Sequence, residues 1–193
     1  MVPDGSSIER APAGTLLTLP NVISFARLCA VPLACWLVIG GRFASAFILF
    51  VGAGASDAVD GWLARRHGGG NGVGAVLDAV ADKALLVTMY VTLAAASEIP
   101  DWLAILVVFR DLIIVGGVVI MALLGLPVAI RPLFVSKVNT VLQILLIALT
   151  LFVAGFGVPA PAEQVALLAL TWAVAASTLA SGAAYVWKAV WVR

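Results

Sequence analysis

Apolar residues in this chain neither alternate nor ride a narrow helical stripe. They run in long blocks, near residues 22–39, 43–65, 74–97, 102–124, 134–154 and 164–187. The breaks between blocks are short: Gly40-Gly41-Arg42, the glycine-rich basic stretch 66–73, Glu98-Ile99-Pro100-Asp101, residues 125–132 and the Pro/Gly stretch 155–163. Blocks of about 20 residues match the thickness of a bilayer's hydrocarbon core. They are far longer than strands and lack the ten-residue alternation of a barrel, so helices are expected. The pattern predicts an all-α integral membrane fold, a six-transmembrane-helix bundle with short loops. Residues 1–18 form an N-terminal cytoplasmic segment, without the basic start and small-residue exit of a signal peptide, and residues 19–193 the membrane domain.

Composition agrees. Hydrophobic residues make up 63% of the 193 and mean hydropathy is +1.15, which leaves no room for a separate soluble domain. The net charge of +1 offers no basic surface for nucleic acid. Cys29 and Cys35, six apart on one helix, are separated by ~9 Å of rise and read as packing residues, not a disulfide. Arg10, Arg65, Arg66, Arg131, Lys137, Lys188 and Arg193 fall on one side of the expected bundle, and Arg42, Glu98, Asp101 and Glu163 on the other. The positive-inside rule then puts both termini and the 66–73 connection in the cytoplasm.

Against this background the stretch Ser56–Lys83 is anomalous, because Asp57, Asp60, Asp78 and Asp82 lie inside or beside apolar spans. A carboxylate at membrane depth is costly and tends to face a cavity, a partner or the bundle interior. Asp57, Asp60, Gly61, Ala64 and Arg65 share a broad face of the second helix, and Asp78 and Asp82 are i, i+4 on the third. A glycine-rich connection makes these helices antiparallel neighbours, so four carboxylates are expected to converge. Converging carboxylates repel unless a cation is present, and an all-oxygen set suits Mg²⁺ or Mn²⁺. Small residues at 61 and 74 let a bulky group lie against the backbone. Two rival readings are close helix packing for the small residues and the ion path of a cation transporter for the aspartates. Six spans without a visible internal repeat argue against the transporter.

Written out, the stretch reads Asp57-x2-Asp60-Gly61-x2-Ala64-Arg65-x8-Gly74-x3-Asp78-x3-Asp82. It resembles the signature of the CDP-alcohol phosphatidyltransferases at every fixed position. The resemblance implies two divalent metals, Mg²⁺ or Mn²⁺, held by Asp57, Asp60, Asp78 and Asp82. It implies Asp82 as general base, and Gly61, Ala64, Arg65 and Gly74 lining the site of the donor, CDP-diacylglycerol. It also implies attack by an acceptor hydroxyl with release of CMP, a cytosol-facing site and a homodimer.

The signature does not choose the acceptor. Leu19–Ser24 with Arg27, and the Arg110-Asp111 pair, resemble the glycerophosphate-type branch. Arg27 reads equally as a phosphate contact or as an arginine snorkelling to head groups. The segment Ser136-Lys137-Val138-Asn139-Thr140-Val141-Leu142-Gln143 is similar to the mitochondrial-type cardiolipin synthases, with Asn139 where bacterial phosphatidylglycerophosphate synthases usually carry a second lysine. Arg110, Arg131, Lys137 and Asn139 are the candidate acceptor residues, although Arg110 reads equally well as a structural partner of Asp111. Few cations suit a monoanionic diester such as phosphatidylglycerol better than the dianion of glycerol 3-phosphate. The expected product is cardiolipin, with phosphatidylglycerophosphate the alternative, and the expected location is a bacterial inner membrane.

Overall fold

A computed structural model of the chain describes residues 19–67, 72–123, 134–157 and 161–191, with side chains described at 26–56, 82–117, 123, 134–157, 161–185 and 187. Six helices follow the apolar blocks: α1 Leu19–Ile39, α2 Phe43–His67, α3 Gly72–Ala95, α4 Asp101–Leu123, α5 Phe134–Phe156 and α6 Pro161–Trp191. The described residues contain no strand. The expected boundaries shift by at most a few residues: α2 and α5 begin where expected, at Phe43 and Phe134, while α1, α3, α4 and α6 start one to three residues earlier. Pro20 and Pro161 sit in first turns, where a missing N–H costs nothing.

The tight turns have local causes. After α1, Gly41 takes φ +68°, and Arg42 N–H closes the helix end on Leu37 O at 2.8 Å. Arg42 then lies over the Trp36 ring, 5.7 Å from its centroid. After α3 the same closure uses Ser97 at φ 62°, with Glu98 N–H on Leu93 O at 2.9 Å. Ile99 of that turn is buried, which ties the turn to the core.

Packing runs α1 against α2 and α3, α2 against α5, α5 against α6 and α3, and α4 against α3 and α6. Tyr90, Met89, Leu93, Leu103, Leu146, Ile147 and Leu151 fill the centre. At the start of α2 the backbone meets α5 directly: a Cβ on Gly155 would stand 2.5 Å from Ala44 N. Among the described residues α1 lies against both α2 and α3. The aspartate-bearing ends of α2 and α3, expected to converge, lie outside the described side chains.

Two helical segments, Phe134–Phe156 and Pro161–Tyr185, are long and apolar enough to cross a membrane by length and composition among the described residues. The other helices carry most of the charges, and their outward faces remain apolar among the described residues. Trp36, Ile39, Ile48, Ile105, Phe109 and Leu112 are all exposed. Trp172, inside α6, lies against Trp102, with ring centroids 5.6 Å apart and planes 37° from parallel.

Candidate active site

The helical backbone of α2 is continuous through residues 57–67, and that of α3 through 72–82, so the i, i+3 and i, i+4 spacings of the aspartates hold. The side chains of Asp57, Asp60, Gly61, Ala64, Arg65, Gly74 and Asp78 lie outside those described, as does all of Arg131. Among the described residues no group of three or more His, Cys, Asp or Glu side chains comes together. Asp82 is the described member of the aspartate set.

Asp82 is held from α1. Arg27 Nη1 donates to its Oδ1 at 2.5 Å, across 55 residues of sequence. The two partners are unequally placed, with the arginine side chain 3% exposed and the carboxylate 42%. Burial of the guanidinium argues against snorkelling to head groups, and the Asp82 carboxylate is one of its partners. Burying an arginine this deeply is costly unless it is paired. The pair therefore locks the α1–α3 seam while leaving the carboxylate, a hard oxygen donor, within reach of a metal or substrate.

The next residue opens a second ionic node. Lys83 Nζ donates to both oxygens of Asp111, at 3.0 and 2.9 Å. Arg110 Nη1 donates to Asp111 Oδ1 at 2.7 Å, and its Nη2 reaches Ser136 Oγ and Ser181 Oγ, both at 2.6 Å. Tyr185 presents its ring to the same guanidinium, 5.9 Å away. This node joins α3, α4, α5 and α6 and carries one net positive charge from two cations and one carboxylate. Asp111 and Arg110 are both buried, whereas Lys83 is 39% exposed along its side chain.

The acceptor candidates separate in space. Lys137 is exposed at the start of α5. Asn139 is fully buried, and its Oδ1 accepts from Ser177 Oγ and Thr178 Oγ1 of α6, both at 2.8 Å. Gln143, one turn on, is fully buried too, with Tyr90 donating to its backbone oxygen at 3.3 Å. The polar run that opens α5 thus turns one side to α6 and presents Lys137 on another. Lys83, Ser177, Thr178, Ser181 and the Arg27–Asp82 pair were not assigned from sequence. Their partners are 28 to 71 residues away, beyond any local spacing rule.

The fold and site together define an all-helical protein with ionic clusters set into an apolar bundle. The chain belongs to the CDP-alcohol phosphatidyltransferase family, whose model matches residues 17–181. It is 33% identical to a rice chloroplastic CDP-diacylglycerol–glycerol-3-phosphate 3-phosphatidyltransferase, over 94% of this chain and 61% of that protein. It is 31% identical to human cardiolipin synthase (CMP-forming), over 86% of this chain and 59% of that one. With cardiolipin synthase (CMP-forming) of Streptomyces coelicolor it shares 32% identity, over 65% of this chain and 63% of the relative. The chain spans about three fifths of the length of these relatives.

Proposed function

We propose that this protein transfers the phosphatidyl group of CDP-diacylglycerol to a hydroxyl of phosphatidylglycerol, forming cardiolipin and CMP. The observation that carries this reading is the economy of positive charge on the acceptor side. Arg110 is engaged by Asp111, Ser136 and Ser181, and Lys83 by the same carboxylate, so this node offers a single net positive charge. With Arg110 and Lys83 both held by Asp111, the exposed Lys137 is the cation that the described part of α5 offers an acceptor phosphate, and one such cation suits a monoanionic phosphodiester better than a phosphomonoester dianion. The names of the human and Streptomyces relatives support the same acceptor.

In this reading the acceptor oxygen attacks the phosphatidyl phosphorus as its proton passes to Asp82 and the bond to the CMP oxygen breaks. Asp82 is exposed enough to receive that proton, and Arg27 fixes the direction of its carboxylate. Asp57, Asp60, Asp78 and Asp82 would hold Mg²⁺ or Mn²⁺, two ions in all, which neutralise the pyrophosphate and stabilise departing CMP. Gly61, Ala64, Arg65 and Gly74 would line the nucleotide side. Lys137 and Arg131 would meet the acceptor, while Arg110 and Asn139 would set the position of the helices that carry it. We further propose that all six helices span a bacterial inner membrane, with both termini and the site on the cytoplasmic side, and that the protein forms a homodimer.

A second reading, glycerol 3-phosphate as acceptor, is favoured by the similarity to the rice protein. Purified protein in lipid, given labelled CDP-diacylglycerol with Mg²⁺ or Mn²⁺, separates the two. Cardiolipin from phosphatidylglycerol is the expected product. Phosphatidylglycerophosphate from glycerol 3-phosphate in its place would overturn the acceptor, and turnover undiminished by chelator would overturn the metal role.

A further inference from the structure

Between α1 and α2 lies a cavity of about 350 Å³. Ala26, Arg27 and Ala30 line it from α1, and Ile48, Gly52 and Ser56 from α2. Its volume falls within the roughly 300–1,000 Å³ of small-molecule sites. Ser56 lies eight residues beyond Ile48, so the cleft runs ~12 Å along α2. One end is apolar. The other holds the buried guanidinium of Arg27, hydrogen-bonded to Asp82, and Ser56, which immediately precedes Asp57. Gly52 keeps the cleft open: a Cβ built there meets nothing within 4 Å. Ser56 turns its hydroxyl back onto Gly52 O at 2.9 Å, which spends its polarity within the helix.

We infer that this cleft seats an acyl chain of the phosphatidyl donor, with Arg27 at the phosphate end. This rests on the donor proposed above. An apolar trough that ends at a buried cation matches the chemistry of an anionic lipid, hydrocarbon followed by phosphodiester. The cleft belongs to the donor because α1 packs only on α2 and α3 among the described residues, whereas Arg110 and Lys137 stand on α4 and α5. Its polar end adjoins both halves of the aspartate signature, Asp57 through Ser56 and Asp82 through Arg27.

The test uses the full chain in lipid nanodiscs, with CDP-diacylglycerol carrying a diazirine in one acyl chain. Irradiation is expected to label the peptides containing residues 26–30 and 48–56. Excess unlabelled CDP-diacylglycerol should suppress that labelling and equal phosphatidylglycerol should not. Labelling confined to other helices would overturn the inference. So would suppression by phosphatidylglycerol alone, which would give the cleft to the acceptor, or labelling that neither lipid suppresses, which would make the occupant bulk lipid. In a second arm, Gly52→Phe fills the trough at a position where the backbone tolerates a side chain. The apparent KM for a long-chain donor should rise roughly tenfold, the loss of about two buried methylenes, while a donor with four-carbon chains shifts far less. Equal effects on both donors would sink the idea. Labelling is read without turnover, so a failure of the proposed reaction, seen as no CMP released with any acceptor, is distinguishable from a failure of the cleft.

Discussion

Replacing Asp111 by Asn should destabilise the protein far more than removing either of the cations that Asp111 binds. The asymmetry follows from who is left behind. In Asp111→Asn the Arg110 guanidinium, 5% exposed, loses its countercharge and keeps the neutral contacts of Ser136, Ser181 and the Tyr185 ring. Breaking a buried pair from one side costs about 3–5 kcal/mol, and the two hydroxyls hold the cost near the lower end, at ~3 kcal/mol. In Arg110→Met the remaining carboxylate still accepts both hydrogen bonds from Lys83, at 2.9 and 3.0 Å. The orphaned serines can turn back onto their own helix carbonyls, so about 1–2 kcal/mol is lost. In Lys83→Met the carboxylate keeps Arg110 at 2.7 Å, and the lost cation was two-fifths exposed, so the cost is at most about 1 kcal/mol. Equilibrium unfolding in mixed micelles, followed by tryptophan fluorescence, measures all three. Arg110→Met matching or exceeding Asp111→Asn would refute the reasoning, as would a double variant whose loss equals the sum of the singles.

Three other outcomes are expected. Asp82→Asn should lower kcat by roughly 10²–10⁴-fold and leave CDP-diacylglycerol binding largely intact, as measured by nanodisc titration; equal loss of binding would remove the general base. Lys137→Ala should raise the apparent KM for phosphatidylglycerol by up to about fivefold, in keeping with one exposed ionic contact, and more than that for the donor; equal shifts would take Lys137 out of the acceptor site. Gly155→Ala drives a Cβ to 2.7 Å from Ala44 Cα and 2.9 Å from Phe43 C. Both neighbours are backbone, so α5 must move off α2 at a cost of about 1–3 kcal/mol, read as a lowered thermal midpoint.

Helix number and approximate bounds were legible because apolar block length and Gly/Pro breaks are local signals. The aspartate spacing was legible for the same reason. The ionic partnerships were not. Arg27 invited a choice between head groups and phosphate, and it meets Asp82 because α1 packs along α3, a fact of topology. Asn139 stood among the candidate acceptor residues. It is sealed against Ser177 and Thr178, because a buried amide at the α5–α6 seam needs partners and α6 brings two hydroxyls to it. Convergence of the aspartate-bearing ends of α2 and α3, expected from their short connection, lies outside the described side chains.

Successive residues on a helix point about 100° apart, and α3 uses that offset between Asp82 and Lys83. Asp82 turns to Arg27 on α1, and Lys83 turns to Asp111 on α4. The two pairs therefore fix how α3 is rotated between α1 and α4. The first pair can be separated from its chemistry by reversing it. Asp82→Lys alone sets two cations together across the α1–α3 seam and should strongly reduce the yield of folded protein. Adding Arg27→Asp restores an attraction of opposite polarity and should recover much of the stability, since a seam pair needs complementary charge and not a particular polarity. Turnover should stay absent, because a lysine at position 82 can neither hold a divalent metal nor accept the acceptor's proton. A swapped protein no more stable than Asp82→Lys would show that the pair does not hold the seam. A swapped protein that turns over would show that Asp82 does no chemistry.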